Sequence, residues 1–275
     1  RFMNLDNGKV VAYIDKLEGE GVKELSRIYV LQQGDAKQAP TVVVSDSGNI
    51  QRDGNGLQWL TLNNGKVNAL SPEVIVALNE ALDRAQEASA IVVLTGQPGI
   101  LSGGYDLKVM MKGPEQAIAL VTAGSALTRR MLAHPQPIIV ACGGHAVAKG
   151  AFLLLASDYR LGVEGEFLIG LNEVQIGMTM HHVGILLARD RLSPAMFQRS
   201  VINAEMFTPQ AALAAGFLDR VVAPDRLMAA ALDVAQQMKK LNPGAHRHTK
   251  LKARKALLEA LDNAIVTDGR TSVVG

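Results

Sequence analysis

From residue 57 onward the chain alternates between two apolar rhythms. Short runs that alternate, or that carry no polar break, are separated by longer stretches whose apolar residues recur every three or four positions. Residues 57–62 (LQWLTL) alternate as a strand, and 63–66 (NNGK) supply a turn. Ser71 then caps a helix over 71–86, with Pro72 at its first position and Val74, Leu78, Leu82 and Ala85 on one face. Residues 90–96 (AIVVLTG) predict a buried strand and 114–133 a long helix, which Pro135 and Pro137 separate from a second buried strand at 138–142 (IIVAC). Further strands are expected at 158–163, 167–172 and 218–222. Helices are expected near 183–191, 194–204, 208–215, 225–241 and 244–265. Strands alternating with helices indicate an α/β fold. Residues 1–56 are less regular: apolar pieces at 9–15, 28–32 and 41–48 flank a mixed-charge stretch and end in the turn residues 53–56 (DGNG). No repeat of fixed period is visible.

Composition narrows the class. With 275 residues, 48% hydrophobic and 20% charged, the chain can bury a substantial core as one large domain or two small ones. A formal net charge of +2 provides no strong field for nucleic acid or an anionic membrane. Cys142 is the single cysteine, which excludes an intrachain disulfide framework and a multi-cysteine zinc site and suits a reducing cytoplasm. Residues 1–13 lack the basic region, apolar core and cleavage site of a signal peptide, and no apolar run reaches spanning length. A soluble, cytoplasmic chain is expected.

Two glycine-bearing loops carry the candidate chemistry: 102–108 (SGGYDLK) and 143–152 (GGHAVAKGAF), each between an apolar strand and an apolar helical stretch. Glycine lets backbone approach a ligand closely, and a helix N-terminus offers unpaired N–H groups with partial positive charge. Two such groups converging on one point make an oxyanion hole. Spacing alone favours tight structural turns, and neither loop is a dinucleotide or phosphate loop.

Six blocks in one order resemble the crotonase family, the enoyl-CoA hydratase/isomerase group. They are 67–85 (VNALSPEVIVALNEALDRA), 90–96, 102–108, 137–162 (PIIVACGGHAVAKGAFLLLASDYRLG), 170–178 (GLNEVQIGM) and 208–222 (TPQAALAAGFLDRVV). The resemblance spans roughly residues 57–265. It implies a crotonase-like spiral of ββα units over 57–222, and a C-terminal helical trimerisation region over 223–275 that gives a homotrimer or dimer of trimers. The substrate implied is an acyl-CoA thioester, with no cofactor beyond the coenzyme A of that substrate. Residues 1–56 depart from the pattern as an N-terminal extension, because the family's first strand lies close to its N-terminus.

Carried over by position, the resemblance makes the backbone N–H groups of Tyr105 and Lys149 the two oxyanion donors. Lys149 stands in the middle of a usual Gly-Gly-Gly run, so its side chain is expected to snorkel outward or to meet an acid. Hydratases of this family share one water between two glutamates. The second matches Glu173, whereas the first falls on Phe152, which can neither accept nor donate a proton. By its residue type alone Glu173 reads rather as a loop carboxylate capping a helix, and it is the family position that makes it catalytic. One glutamate opposite an oxyanion hole can still take a proton α to the thioester and return it at the γ carbon, as in a Δ3,Δ2-enoyl-CoA isomerase. Two alternatives stay open: a hydratase with a non-standard water site, and a CoA-ester-binding member without catalysis.

Gly150, Phe152, Met178 and His181 are expected around the acyl pocket. His181 and the adjacent His182 lack the i, i+4 spacing of a helical metal clamp, so no metal is expected. The coenzyme A is expected to meet the backbone at Lys66, Asn68, Ala69 and Gly103, with Lys108, Lys250 and Lys252 as candidates for its phosphates. Asp106 is expected to cap the following helix, and Asp158 to be a buried structural acid.

Overall fold

A computed structural model describes the backbone of residues 2–5, 10–17, 25–32, 41–45 and 48–53, and residues 57–270 with their side chains except that of Gln58. Strands β1 (Phe2–Leu5), β2 (Val10–Leu17), β3 (Leu25–Gln32), β4 (Thr41–Ser45) and β5 (Gly48–Asp53) form an antiparallel meander that ends on β6 (Leu57–Thr61). The apolar pieces at 9–15, 28–32 and 41–48 fall mainly on β2, β3 and β4. Residues 54–56 of the expected turn lie outside the described residues.

Helix α1 (Pro72–Glu87) follows β6, and Ser71 Oγ accepts the Val74 N–H at its start. Val74, Leu78, Leu82 and Ala85 are all buried, as one apolar face requires. Three strand–strand–helix turns come next. The first is β7 (Ile91–Thr95), β8 (Gly99–Ser102), the short α2 (Leu107–Met110) and α3 (Pro114–Ala133). The second is β9 (Ile138–Cys142), β10 (Gly144–Val147) and α4 (Lys149–Leu155). The third is β11 (Tyr159–Val163), β12 (Ile169–Gly170), a 3-10 turn (Val174–Ile176) and α5 (His182–Arg191). The remainder is α6 (Pro194–Val201), β13 (Met206–Phe207), α7 (Pro209–Ala215), β14 (Arg220–Val222), α8 (Leu227–Met238), α9 (Pro243–Ala253) and α10 (Lys255–Asp268).

The first strand of each turn enters one sheet and the second strand enters another. The large sheet runs β1-β2-β3-β4-β5-β6-β7-β9-β11-β14, parallel from β6 onward; the small one runs β13-β12-β10-β8, with β12, β10 and β8 parallel. Every residue of β7 and β9 is buried, because both faces of the large sheet are covered. Ile91, Val93, Ile139 and Ala141 pack toward Ala230, Ala231 and Ala235 of α8, whereas Val92, Leu94, Ile138, Val140 and Cys142 join the larger core with α1, α3 and α4.

Three expectations need correction. The strand expected at 167–172 is two residues long, because its continuation turns into the site loop. The single helix expected at 244–265 is two helices that break at Arg254 (φ −95°, ψ 5°), whose guanidinium is drawn to the Leu132 carbonyl at 2.8 Å and Asp158 at 3.0 Å. Strand β10 lies inside the glycine-bearing segment 143–152, and β8 runs into the segment 102–108 at Ser102; strands of four residues leave no periodic signal. Among the described residues no helix is long and apolar enough to cross a membrane.

Candidate active site

The small sheet assembles the site. Strands β8, β10 and β12 are parallel neighbours with β10 in the middle, and the loop leaving each carries one predicted residue: Tyr105 after β8, Lys149 after β10 and Glu173 after β12. Carboxyl ends of parallel strands are where open α/β sheets bind ligands. The loops are tied together directly. The Ala148 N–H donates to the Gly170 carbonyl at 2.9 Å, and a Cβ built on Gly104 would stand 3.7 Å from the Lys149 nitrogen. Gly150 is required by the same packing, since its Cβ would lie 2.3 Å from the Ser102 carbonyl oxygen.

Neither the Tyr105 N–H nor the Lys149 N–H donates to any acceptor among the described residues. Lys149 begins α4, so its amide is one of the unpaired groups of a helix N-terminus. Ala148 immediately before it adopts φ 50° and ψ −117°, a region that favours glycine, and this bend turns the Lys149 amide out of the strand direction. On the other loop Gly104 takes φ 109°, and Asp106 Oδ1 accepts the Lys108 N–H at 2.9 Å as the cap of α2.

Glu173 lies at the start of the 3-10 turn and makes no capping bond, so the structural role open to a loop carboxylate is not realised. It is 6% exposed, and its Oε2 is buried without a partner among the described residues, as is Oδ1 of the adjacent Asn172. Burial pushes the Glu173 carboxyl up to about 7, against a smaller lowering by its own backbone N–H. Its charge also raises the Tyr105 phenol, after burial itself, which places the two groups within electrostatic reach. A buried carboxyl with one free oxygen and a raised pKa can serve as a base near neutral pH.

Phe152 is buried one turn along α4 from Lys149, and the ring of His181 stands edge-on to it with centroids 5.3 Å apart. His181 is held below its ordinary range, near 4, by burial and then by the Lys149 charge, so its ring is neutral at pH 7. His182 points away: its N–H and Nδ1 meet Asp268 Oδ1 at 2.9 and 2.7 Å, and Val183 N–H meets Oδ2 at 3.0 Å. Asp268 thus caps α5 from α10, a contact across 86 residues. Met178 is half-buried, and its N–H donates to the Glu173 carbonyl at 2.9 Å. Among the described residues no group of three or more His, Cys, Asp or Glu side chains is placed to hold a metal ion.

Of the residues expected to meet coenzyme A, Lys66, Asn68, Ala69 and Gly103 come together, because the Gly103 N–H donates to the Val67 carbonyl at 2.8 Å and Leu70 bridges Tyr105. The Asn68 side chain is wholly used inside the protein. It donates to the Leu62 and Leu101 carbonyls and accepts from Asn64 N–H and Gln97 Nε2, which braces the loop at φ 49°. Lys66, Lys108 and Lys252 are exposed. Lys250 must be corrected: its amine is buried on Asp158 Oδ2 at 2.6 Å, at the end of α4 opposite Lys149, and is not available to a phosphate. Asp158 also takes the Ile138 N–H and Arg254, as the expected structural acid.

Lys149 needs the second correction. Its side chain neither reaches solvent nor meets an acid; it is 1% exposed and its Nζ donates to the Gly124 carbonyl at 2.5 Å. Burial holds the amine down near 7. Cys142 and His145 form no couple: the thiol faces the Gly144 carbonyl with its pKa pushed up to about 12 by burial, and His145 Nδ1 accepts the Leu168 N–H. Sequence reasoning missed Asn172, Ala148 and Asp268. Asn172 had only its place beside Glu173 as a signal, and the other two depend on φ and on long-range contact.

The enoyl-CoA hydratase/isomerase family model matches residues 52–271. A solved enoyl-CoA hydratase/isomerase family protein from Pseudomonas syringae is 65% identical, with a TM-score of 0.82 over 83% of this chain and 99% of that one. The human mitochondrial Δ3-Δ2-enoyl-CoA isomerase is 26% identical, with a TM-score of 0.77 over 81% of this chain and 89% of its own. A carnitinyl-CoA dehydratase of Salmonella enteritidis is 28% identical over 198 residues, 71% of this chain and 75% of the relative.

Proposed function

The chain belongs to the enoyl-CoA hydratase/isomerase family, and from that premise we propose that it moves a double bond in an acyl-CoA thioester by a 1,3 proton shift. The observation that carries this reading is the buried Glu173 carboxyl at the end of β12, one oxygen of which has no partner among the described residues, with the free amides of Tyr105 and Lys149 at the ends of β8 and β10. A thioester oxygen accepting both amides becomes the oxyanion of an enolate when Glu173 takes the α proton. The same carboxyl then returns its proton at the γ carbon, and the thioester is regenerated with the double bond in conjugation. Burial favours the neutral carboxyl in the resting protein and strengthens the carboxylate as a base once it ionises.

A second reading rests on His181, whose neutral ring stands beside Phe152 at the position of the missing glutamate. A water held there would make the chain a hydratase of 2-enoyl-CoA with Glu173 as its one carboxylate. The two readings part on substrate. Purified protein is given a 3-enoyl-CoA and a 2-enoyl-CoA in separate assays, alongside Glu173→Gln. Isomerisation that Glu173→Gln abolishes supports the first reading, and hydration without isomerisation overturns it in favour of the second. Thioester binding with no turnover of either would leave a CoA-ester-binding protein.

A further inference from the structure

Both proposed oxyanion donors send their side chains to the same turn of α3. Lys149 Nζ donates to the Gly124 carbonyl at 2.5 Å, and the Tyr105 hydroxyl donates to the Val121 carbonyl at 3.4 Å. The two side chains also meet each other, with Nζ 5.7 Å from the centre of the Tyr105 ring. Gly124 makes this convergence possible, since a Cβ there would stand 2.2 Å from the Tyr105 hydroxyl.

This arrangement is costly in two ways. A lysine amine is buried with a single carbonyl acceptor and no acid bonded to it, and Ala148 holds a backbone conformation suited to glycine. Local strain persists only where the surroundings over-determine it. With no Gly-Gly-Gly run to set the donor loop, another constraint must fix where the Lys149 amide points.

We infer that the Lys149 side chain is a positioning residue: it anchors its own backbone N–H to helix α3 at Gly124, in register with the N–H of Tyr105, which is anchored to the same helical turn at Val121. The amide touches substrate, and the amine acts only through it. Its loss therefore lowers stabilisation of the enolate oxygen while leaving the rest of the thioester contact intact. The inference rests on the oxyanion hole of the proposed function, but not on which reaction that hole serves.

The test reads the hole itself. Butyryl-CoA labelled with carbon-13 at the thioester carbonyl is bound to wild type, Lys149→Met and Tyr105→Phe, and the carbonyl stretch is recorded by infrared difference spectroscopy. Hydrogen bonds from two amides lower that frequency, so wild type shows a downshift. Lys149→Met keeps the side-chain volume without the bond, and loses most of the downshift. Its turnover falls roughly 100-fold in kcat with KM held within about twofold, as a misplaced donor predicts. Its thermal midpoint is unchanged or higher, because a buried amine with no acid bonded to it has been removed. Tyr105→Phe, which lacks only the hydroxyl, loses a smaller part of the downshift and decides the matter if Lys149→Met does not fold. A full downshift retained in the folded variants, or none in wild type, overturns the inference. Loss of the downshift in a protein that isomerises no 3-enoyl-CoA overturns the reaction assignment alone.

Discussion

The two positions that the family resemblance matches to a hydratase's glutamates, 152 and 173, are chemical opposites in this molecule. On the α4 side, Phe152 and the neutral ring of His181 pack edge to face, within electrostatic reach of the buried Lys149 amine and of Asp268. On the β12 side, Glu173 and Asn172 each keep a buried oxygen with no donor. On the proposed reading the difference concentrates proton handling on one residue. A site with two carboxylates can hold and split a water, whereas one carboxylate facing two amides can only lend and reclaim a proton.

The largest expected effect comes from removing the asymmetry on the acidic side. Glu173→Gln lowers isomerisation by about 10³-fold with thioester affinity preserved, measured by steady-state kinetics and by titration with butyryl-CoA. Adding an acid to the apolar side breaks the comparison the other way. Phe152→Glu creates measurable hydration of 2-enoyl-CoA, and costs about 3 kcal/mol of stability in denaturant unfolding because a packed ring is replaced by a buried carboxyl.

The pH dependence sharpens it further. The base must be ionised, so kcat rises about tenfold per unit up to pH 7 and levels off above, where the Glu173 carboxyl has lost its proton. Stability runs in the opposite sense. A folded pKa raised from about 4.5 to about 7 contributes stability that is full below 4.5 and lost as pH rises through 7, on the order of 3 kcal/mol. Glu173→Gln should therefore melt higher than wild type at pH 9, and calorimetry at pH 5 and pH 9 checks the crossover. The smallest effect touches neither side. Ala148→Gly relieves a positive φ and raises stability by about 1 kcal/mol, seen as a higher thermal midpoint.

Long elements were legible in the residues: the α3 bounds follow from Pro114 and the prolines after His134, and the buried strands β7 and β9 from unbroken apolar runs. Elements of two to four residues were not, because β8, β10 and β12 exist through pairing with each other rather than through any local pattern. The same division holds in the site. Tyr105, Lys149 and Glu173 could be chosen from blocks resembling a family, but their common placement at the ends of three parallel strands is a property of topology. The inward course of Lys149 had no signal, since its acceptor is a helix carbonyl 25 residues away. Lys250 misled for the same reason, its partner Asp158 being 92 residues distant.

The central claim is that one carboxyl, shielded from water, carries the proton from the α to the γ carbon. A 3-enoyl-CoA bearing deuterium at C2 is isomerised in ordinary water, and the product of the first turnovers is analysed for label at C4. The account predicts that a substantial fraction of the deuterium removed from C2 is found at C4. Product carrying only solvent protium at C4 would contradict a single shielded carboxyl as the carrier.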